Sequence, residues 1–475
     1  MLQVRIMKRM NEGKTEESRF LGRQLIISAA AYAGIIILYY INHMIGSAGL
    51  FVLSGFLFLS FYQYYDFFLN IYGLFGFVWN FTLGLSALQL HANQTDWKLE
   101  TWVLFSMAYL CFLAGAEAEA VFTLKHGRSD PDPQKQIPDR KRFFCLIAAA
   151  FVLSSGALVF TTFVRGGLPL FSEYMSAYHD FGISGIQYLV KGSSLLIPLI
   201  LIYHHYYGKF SSEEIVLFSI SSLYSLLVPL LTVSRQLAFS VLVFSGSTYL
   251  ILAFSGNHPR GKKKHLMIEL LTAAIVLSGS AAGWVVIGNY RNQSQDYLNS
   301  VLNIDEMPRL QQKAMVAYMY VACDYDNFNL NVGEITQHTY GEKVFFPLFA
   351  LTGLKFVIPS VNHDPAEELH LITPTYTTFS LLMEPYQDFG FVGVLIYLFA
   401  IGYFCSACER KRRMNPSTLI LRTLIRYCLI FSFFYNGFSS VDIWFYMISL
   451  MIAERLILKI PNQSAERAEE KMNKG

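Results

Sequence analysis

The stretch RKRFFCLIAAAFVLSSGALVFTTFVRGGLPLF (Arg140–Phe171) carries the pattern that decides the fold. Three basic residues open it, residues 143–163 hold no charged side chain, and Arg165 then precedes a Gly-Gly-Leu-Pro turn. A helix rises about 1.5 Å per residue, so this run reaches the roughly 30 Å of a bilayer's hydrocarbon core. Hydrocarbon offers no partner to free backbone groups, so such a run spans as a helix. Eleven further runs share the pattern, at 24–42, 48–64, 69–90, 101–123, 186–207, 213–231, 235–255, 266–288, 389–408, 418–436 and 441–458. Tyr62 to Tyr65 and Asp66 blur the end of the second. The whole chain agrees: 475 residues, 53% hydrophobic and 15% charged, against about 25% charged in soluble proteins. A formal charge of +3 is too small to imply a nucleic-acid partner. The first run follows a long charged segment and lacks a small-residue cleavage site, so it reads as a retained span.

Lysine and arginine set the orientation. With the N-terminus inside, 25 of the 37 fall in inner segments and eight in outer loops, while Lys191, Arg422, Arg426 and Arg455 lie within spans. Both termini are then cytoplasmic. The expected organisation is a cytoplasmic tail (1–23), nine spans (24–288), a large outer loop (289–388), three spans (389–458) and a second cytoplasmic tail (459–475). A loop of that length is usually functional. Inside it, Arg309 to Cys323 has helical periodicity, and Lys343 to Pro359 (KVFFPLFALTGLKFVIP) is apolar but short, as in a re-entrant or interfacial segment. Fixed-period repeats and paired broken helices of a transporter are absent.

Five of six cysteines lie in spans, and Cys405-x-x-Cys408 has neither a second pair nor a nearby histidine, so packing is the simpler role. His204 and His205 belong to a helix end. The sequence has no phosphate-cradling glycine loop, GxSxG elbow or HExxH. No metal or cofactor is expected.

Three arginines oppose the topological rule: Arg165 at the end of the fifth span, Arg235 in the tight turn VSRQ, and Arg291 after Tyr290 at the end of the ninth. All fall at the outer boundary, and Lys191 lies about one turn inside it. One arginine at a helix end snorkels to headgroups; three at one depth suit phosphate, which a guanidinium grips with a planar fork. Glu173, His179 and Asp180 follow Arg165 in its loop. Asp388, before a glycine at the start of the tenth span, is either a salt-bridge partner orienting an arginine or a general base. His338 and His370 are further base candidates. Asp442 caps the last span or joins the polar rim. Glu117 and Glu119, deep in the fourth span, read as partners of an inner basic residue or as a proton path.

These elements resemble a known family. The GGLPLF after Arg165, Ser234-Arg235, Tyr290-Arg291, the large outer loop and the closing Tyr386-Gln-Asp388-Phe-Gly390-x-x-Gly393 stretch are similar to the Wzy-type oligosaccharide repeat unit polymerases of O-antigen and capsule. The likeness spans residues 140–455. The family's loop motif of Arg with Gly eleven residues later is missing after Arg165 and Arg291. The resemblance implies an all-α, GT-C-like polytopic protein of about twelve spans in a bacterial inner membrane. It implies a metal-independent glycosyltransferase whose donor and acceptor are oligosaccharides on undecaprenyl diphosphate, with a chain-length regulator and a flippase as possible partners. Arg235 and Arg291 are then the diphosphate-holding residues, His370 or His338 handles the hydroxyl, and Arg165, Lys191, Tyr290 and Tyr386 complete the site. An O-antigen-type ligase shares these features, and a flippase of lipid-linked sugars is the non-enzyme alternative. An acid in the first outer loop, expected of monophosphate-dependent transferases, is absent from His43–Ser47.

Overall fold

The computed structural model describes residues 2–126, 138–172, 177–254, 262–291, 295–358, 361, 369–410 and 415–457. Side chains of 2–14, 179, 262–265, 289, 291 and 295–297 lie outside that description, as do the second tail (459–475) and Glu173. The helices are α1 (Leu2–Ile41), α2 (His43–Tyr65), α3 (Ile71–Ala87), α4 (Leu99–His126), α5 (Arg140–Arg165), α6 (Ala177–Asp180), α7 (Ile186–Lys191), α8 (Leu196–Tyr207) and α9 (Ser212–Leu231). They continue as α10 (Arg235–Phe254), α11 (Lys262–Arg291), α12 (Gln295–Leu302), α13 (Arg309–Asn331), α14 (Phe346–Thr352), α15 (Met383–Glu409), α16 (Pro416–Ile430) and α17 (Val441–Ile457). Among the described residues there is no strand.

Each apolar run forms a helix over most of its length, and among the described residues nine helical segments are long and apolar enough to cross a bilayer. The chain therefore has a polytopic membrane architecture. The other three are short: α3 has 17 residues, α16 has 15 and α17 has 17. The eleventh run (418–436) is cut at Ile430, where Phe431–Tyr435 turn back on themselves through Phe434 and Tyr435 N–H bonds to the Phe431 carbonyl. The second run ends cleanly, with Asp66 in the left-handed region and its N–H on the Tyr62 carbonyl. The described part of the first tail continues α1, where Phe20 stacks on Tyr64 and Glu17 pairs with Arg410.

Two packed groups make the core. One joins α1–α4 with α13 and α15; the other joins α5, α8–α10 and α17. Helix α16 is the seam and contributes to both. Its two arginines are spent there: Arg426 bonds Glu409 and the Leu69 carbonyl, and Arg422 bonds the Glu409 carbonyl. Glu119 takes Arg410 at 2.7 Å, as a packing role requires. Buried pairs of this kind hold register more than they add stability.

Helices α4 and α15 meet backbone to backbone. A methyl group at Gly115 would lie 2.0 Å from the Phe399 carbonyl oxygen, and one at Gly402 would lie 2.0 Å from that of Phe112. Small residues permit such approach where dispersion drives helix association. The span 186–207 is interrupted by a 3-10 turn at Gly192–Leu195. Ser154 and Ser225 hydroxyls bond the Val190 and Ser193 carbonyls at this break.

The polar helix α13 fastens the large loop. Asp326 accepts Trp97 Nε1 and Gln94 Nε2, both at 2.7 Å, and Asn329 accepts the Lys98 N–H and the Thr101 hydroxyl. On another face, Asn327 and Asn331, one turn apart, clamp the backbone of residues 370–378. Helix α14 and the turn after it leave Phe356 and Val357 exposed, as in an interfacial segment.

Candidate functional site: an arginine in an aromatic cavity

The turn between α9 and α10 is tight and strained. Val233 has φ +52°, a left-handed conformation that costs a β-branched residue about 1–2 kcal/mol or more. It persists because the Val233 and Ser234 N–H groups bond the Leu230 and Pro229 carbonyls, while the Ser234 hydroxyl accepts the Leu237 N–H. Strain of this sort collects at sites whose geometry is over-determined. Its effect is to set Arg235 as the first residue of α10.

The Arg235 guanidinium lies 4.1 Å from the Trp284 ring centre and 5.9 Å from that of Tyr320. Nη1 donates to the Tyr320 hydroxyl at 3.1 Å. Nη2 occupies the space that a side chain at Gly288 would fill, since a methyl there would be 2.6 Å away. Nε is buried without an acceptor. Among the described residues, no carboxylate stands within ion-pair distance of Arg235. A guanidinium with an idle donor, at the N-terminal end of a helix, is suited to an anion.

Arg235 borders a cavity of about 660 Å³. Its walls are Phe239 of α10, Trp284 of α11, Tyr320 and Val321 of α13, Tyr427 of α16, Thr378, and the turn Phe431–Tyr435. That volume lies within the usual range of small-molecule pockets. Asp324 sits one turn along α13 from Tyr320 and Val321. Its carboxyl is 1% exposed, has no hydrogen-bond partner among the described residues and lies by Thr378. Burial pushes its pKa well up, and Asp326 is raised by burial to about 7.

Among the described side chains, the structure does not bring the other expected residues to this cavity. Arg165 is exposed and bonds the Gly182 carbonyl. Lys191 pairs with Asp442 at 2.8 Å beside a void of about 10 Å³, behind the wall made by Gln236, Tyr427 and Tyr435. Tyr290 is exposed, and Arg291 ends α11 with its side chain outside the described residues. Asp388 is neither an arginine's partner nor a free base. Fully buried, it accepts the Thr339 hydroxyl and the Lys343 and Val344 N–H groups, thereby fixing that loop against the kink at Gly390, where φ is +62°. His338 bonds the Gln387 carbonyl, and His370 is exposed, held through its backbone by Asn331. Tyr386 is a core residue, accepting the Gly333 N–H. Trp284, Tyr320, Asp324 and the 431–435 turn escaped the sequence reading, although Asp-Tyr-Asp in a loop helix and a Phe-Phe-Tyr run beside Asn-Gly were visible signals.

Among the described residues, no three His, Cys, Asp or Glu side chains gather as a metal site. The sequence matches no known family model, and neither a curated protein nor a solved structure is significantly similar to it.

Proposed function

We propose that the protein is a membrane glycosyltransferase that joins lipid-diphosphate-linked oligosaccharide units into a polymer. Arg235 carries the reading: an arginine without a carboxylate partner among the described residues, held by Trp284 and Tyr320 on the wall of a large aromatic cavity. In the reaction the acceptor's hydroxyl oxygen bonds to the donor's anomeric carbon. The bond from that carbon to the diphosphate oxygen breaks, and negative charge grows on the leaving diphosphate. A fixed guanidinium stabilises that charge. The hydroxyl proton leaves with the diphosphate, whose oxygens gain the negative charge.

The test is purified protein incubated with a lipid-linked repeat unit, resolving products by size and following released lipid diphosphate. Wild type makes a ladder, and Arg235→Ala releases 10²–10³-fold less. Attachment of one unit to a non-identical acceptor with no ladder would make the protein a ligase; transfer across vesicles without bond formation would make it a transporter.

A further inference from the structure

A second cavity, of about 600 Å³, opens at the opposite end of α1 and α2 and is independent of the Arg235 site. Arg19 and Arg23 line it one helical turn apart, with Glu16 a turn before and Ser60 and Gln63 across from them on α2. Its apolar wall is the stack of Phe20 on Tyr64, rings 4.2 Å apart and nearly parallel, and the Arg23 guanidinium lies 5.8 Å from the Phe20 ring. Neither arginine has a carboxylate partner among the described residues, because Glu17 faces away and is taken by Arg410 and Tyr65. Gln24 lines the same space, is 3% exposed, and its Oε1 has no donor. Buried acceptors are normally satisfied.

We infer that this cavity binds a phospholipid headgroup carrying both a phosphodiester and a primary ammonium. Two guanidinium forks match the phosphodiester. A phosphate alone would leave Gln24 Oε1 empty and would repel Glu16, whereas an ammonium brings N–H donors to both. The apolar surface that acyl chains need is adjacent on both helices, further from the polar end: Ile26 and Ile27 on α1, Phe56 and Leu59 on α2, all exposed. That continuity favours a lipid over a free phosphate.

Native mass spectrometry of the detergent-purified protein tests this with phosphatidylethanolamine, phosphatidylcholine, phosphatidylglycerol and inorganic phosphate offered separately. Choline keeps the charge but has no N–H, so the ethanolamine lipid is retained about tenfold over the choline lipid. Arg19→Gln with Arg23→Gln lowers its retention to the choline level, and Glu16→Gln, an exposed substitution that spares the fold, narrows the ethanolamine-over-choline ratio. Equal retention of the two zwitterionic lipids overturns the assignment. So does preference for the glycerol lipid, or displacement of bound lipid by millimolar phosphate.

Discussion

Replacing Arg235 by Met separates a functional arginine from a structural one. The methionine keeps the apolar stem, so the packing against Trp284 is largely retained. What is lost is the cation–π contact at 4.1 Å and the 3.1 Å bond to Tyr320, together about 1–3 kcal/mol. What is relieved is a half-buried cation with no counter-charge among the described residues and an unbonded Nε, a burden of comparable size once solvent screening is allowed for. The two nearly cancel, so the melting point, followed by tryptophan fluorescence in detergent, stays within a few degrees of wild type. Activity behaves differently, because the interaction with developing charge disappears: about 3–4 kcal/mol, or 10²–10³ in rate of lipid-diphosphate release. Arg235→Lys keeps charge but not the fork, and falls between. A methionine variant that melts far below wild type, or one that turns over normally, refutes the reasoning.

Three further outcomes follow from the geometry. Gly115→Ala or Gly402→Ala forces α4 and α15 apart where backbone blocks a methyl at 2.0 Å; each lowers thermal stability by about 3 kcal/mol, the upper range for overpacking, since no side chain can swing aside. Asp326, with a folded pKa near 7 against about 3.9 unfolded, binds more protons when folded. Its stabilisation is complete below about pH 4 and is lost as pH rises through 7, so Asp326→Asn, which turns an amide NH2 on one of the two N–H donors, costs more in melting temperature at pH 5 than at pH 8. Lys191→Met strands Asp442, whose Oδ1 is already unbonded, and costs more than Lys191→Met combined with Asp442→Leu; equal losses in a double-mutant cycle would show the pair to be uncoupled.

The helices were readable in the chain because span length and apolarity are local properties, and Arg235 was readable because a charge in a tight turn on the unfavoured side stands out. Arg165 and Lys191 show the limit of that argument. Distance along a span gives depth, but the angle at which a residue faces around the bundle depends on which helices pack together. Arg165 was expected at the depth of Arg235 and Lys191 about one turn inside it, yet both face elsewhere, one to the Gly182 carbonyl and the other to Asp442. Asp388 misled for a related reason. Its partners, residues 339–344, come from a loop more than forty positions earlier, and no local pattern announces three donors converging on one carboxylate. The aromatic wall stayed hidden because Phe431–Tyr435 read as the continuation of a span, when the helix stops at Ile430.

The fastening of α13 has a mechanical consequence. Tyr320, which holds Arg235, and Asp326, which holds Trp97 and Gln94, are on one rigid rod less than two turns apart. Tilting that rod to admit a bulky chain beside Trp284 also pulls on the α3–α4 connection and on the segment clamped by Asn327 and Asn331. The cavity wall and these two connections are thus fastened to one helix, and a binder that grips either connection is expected to stiffen that wall.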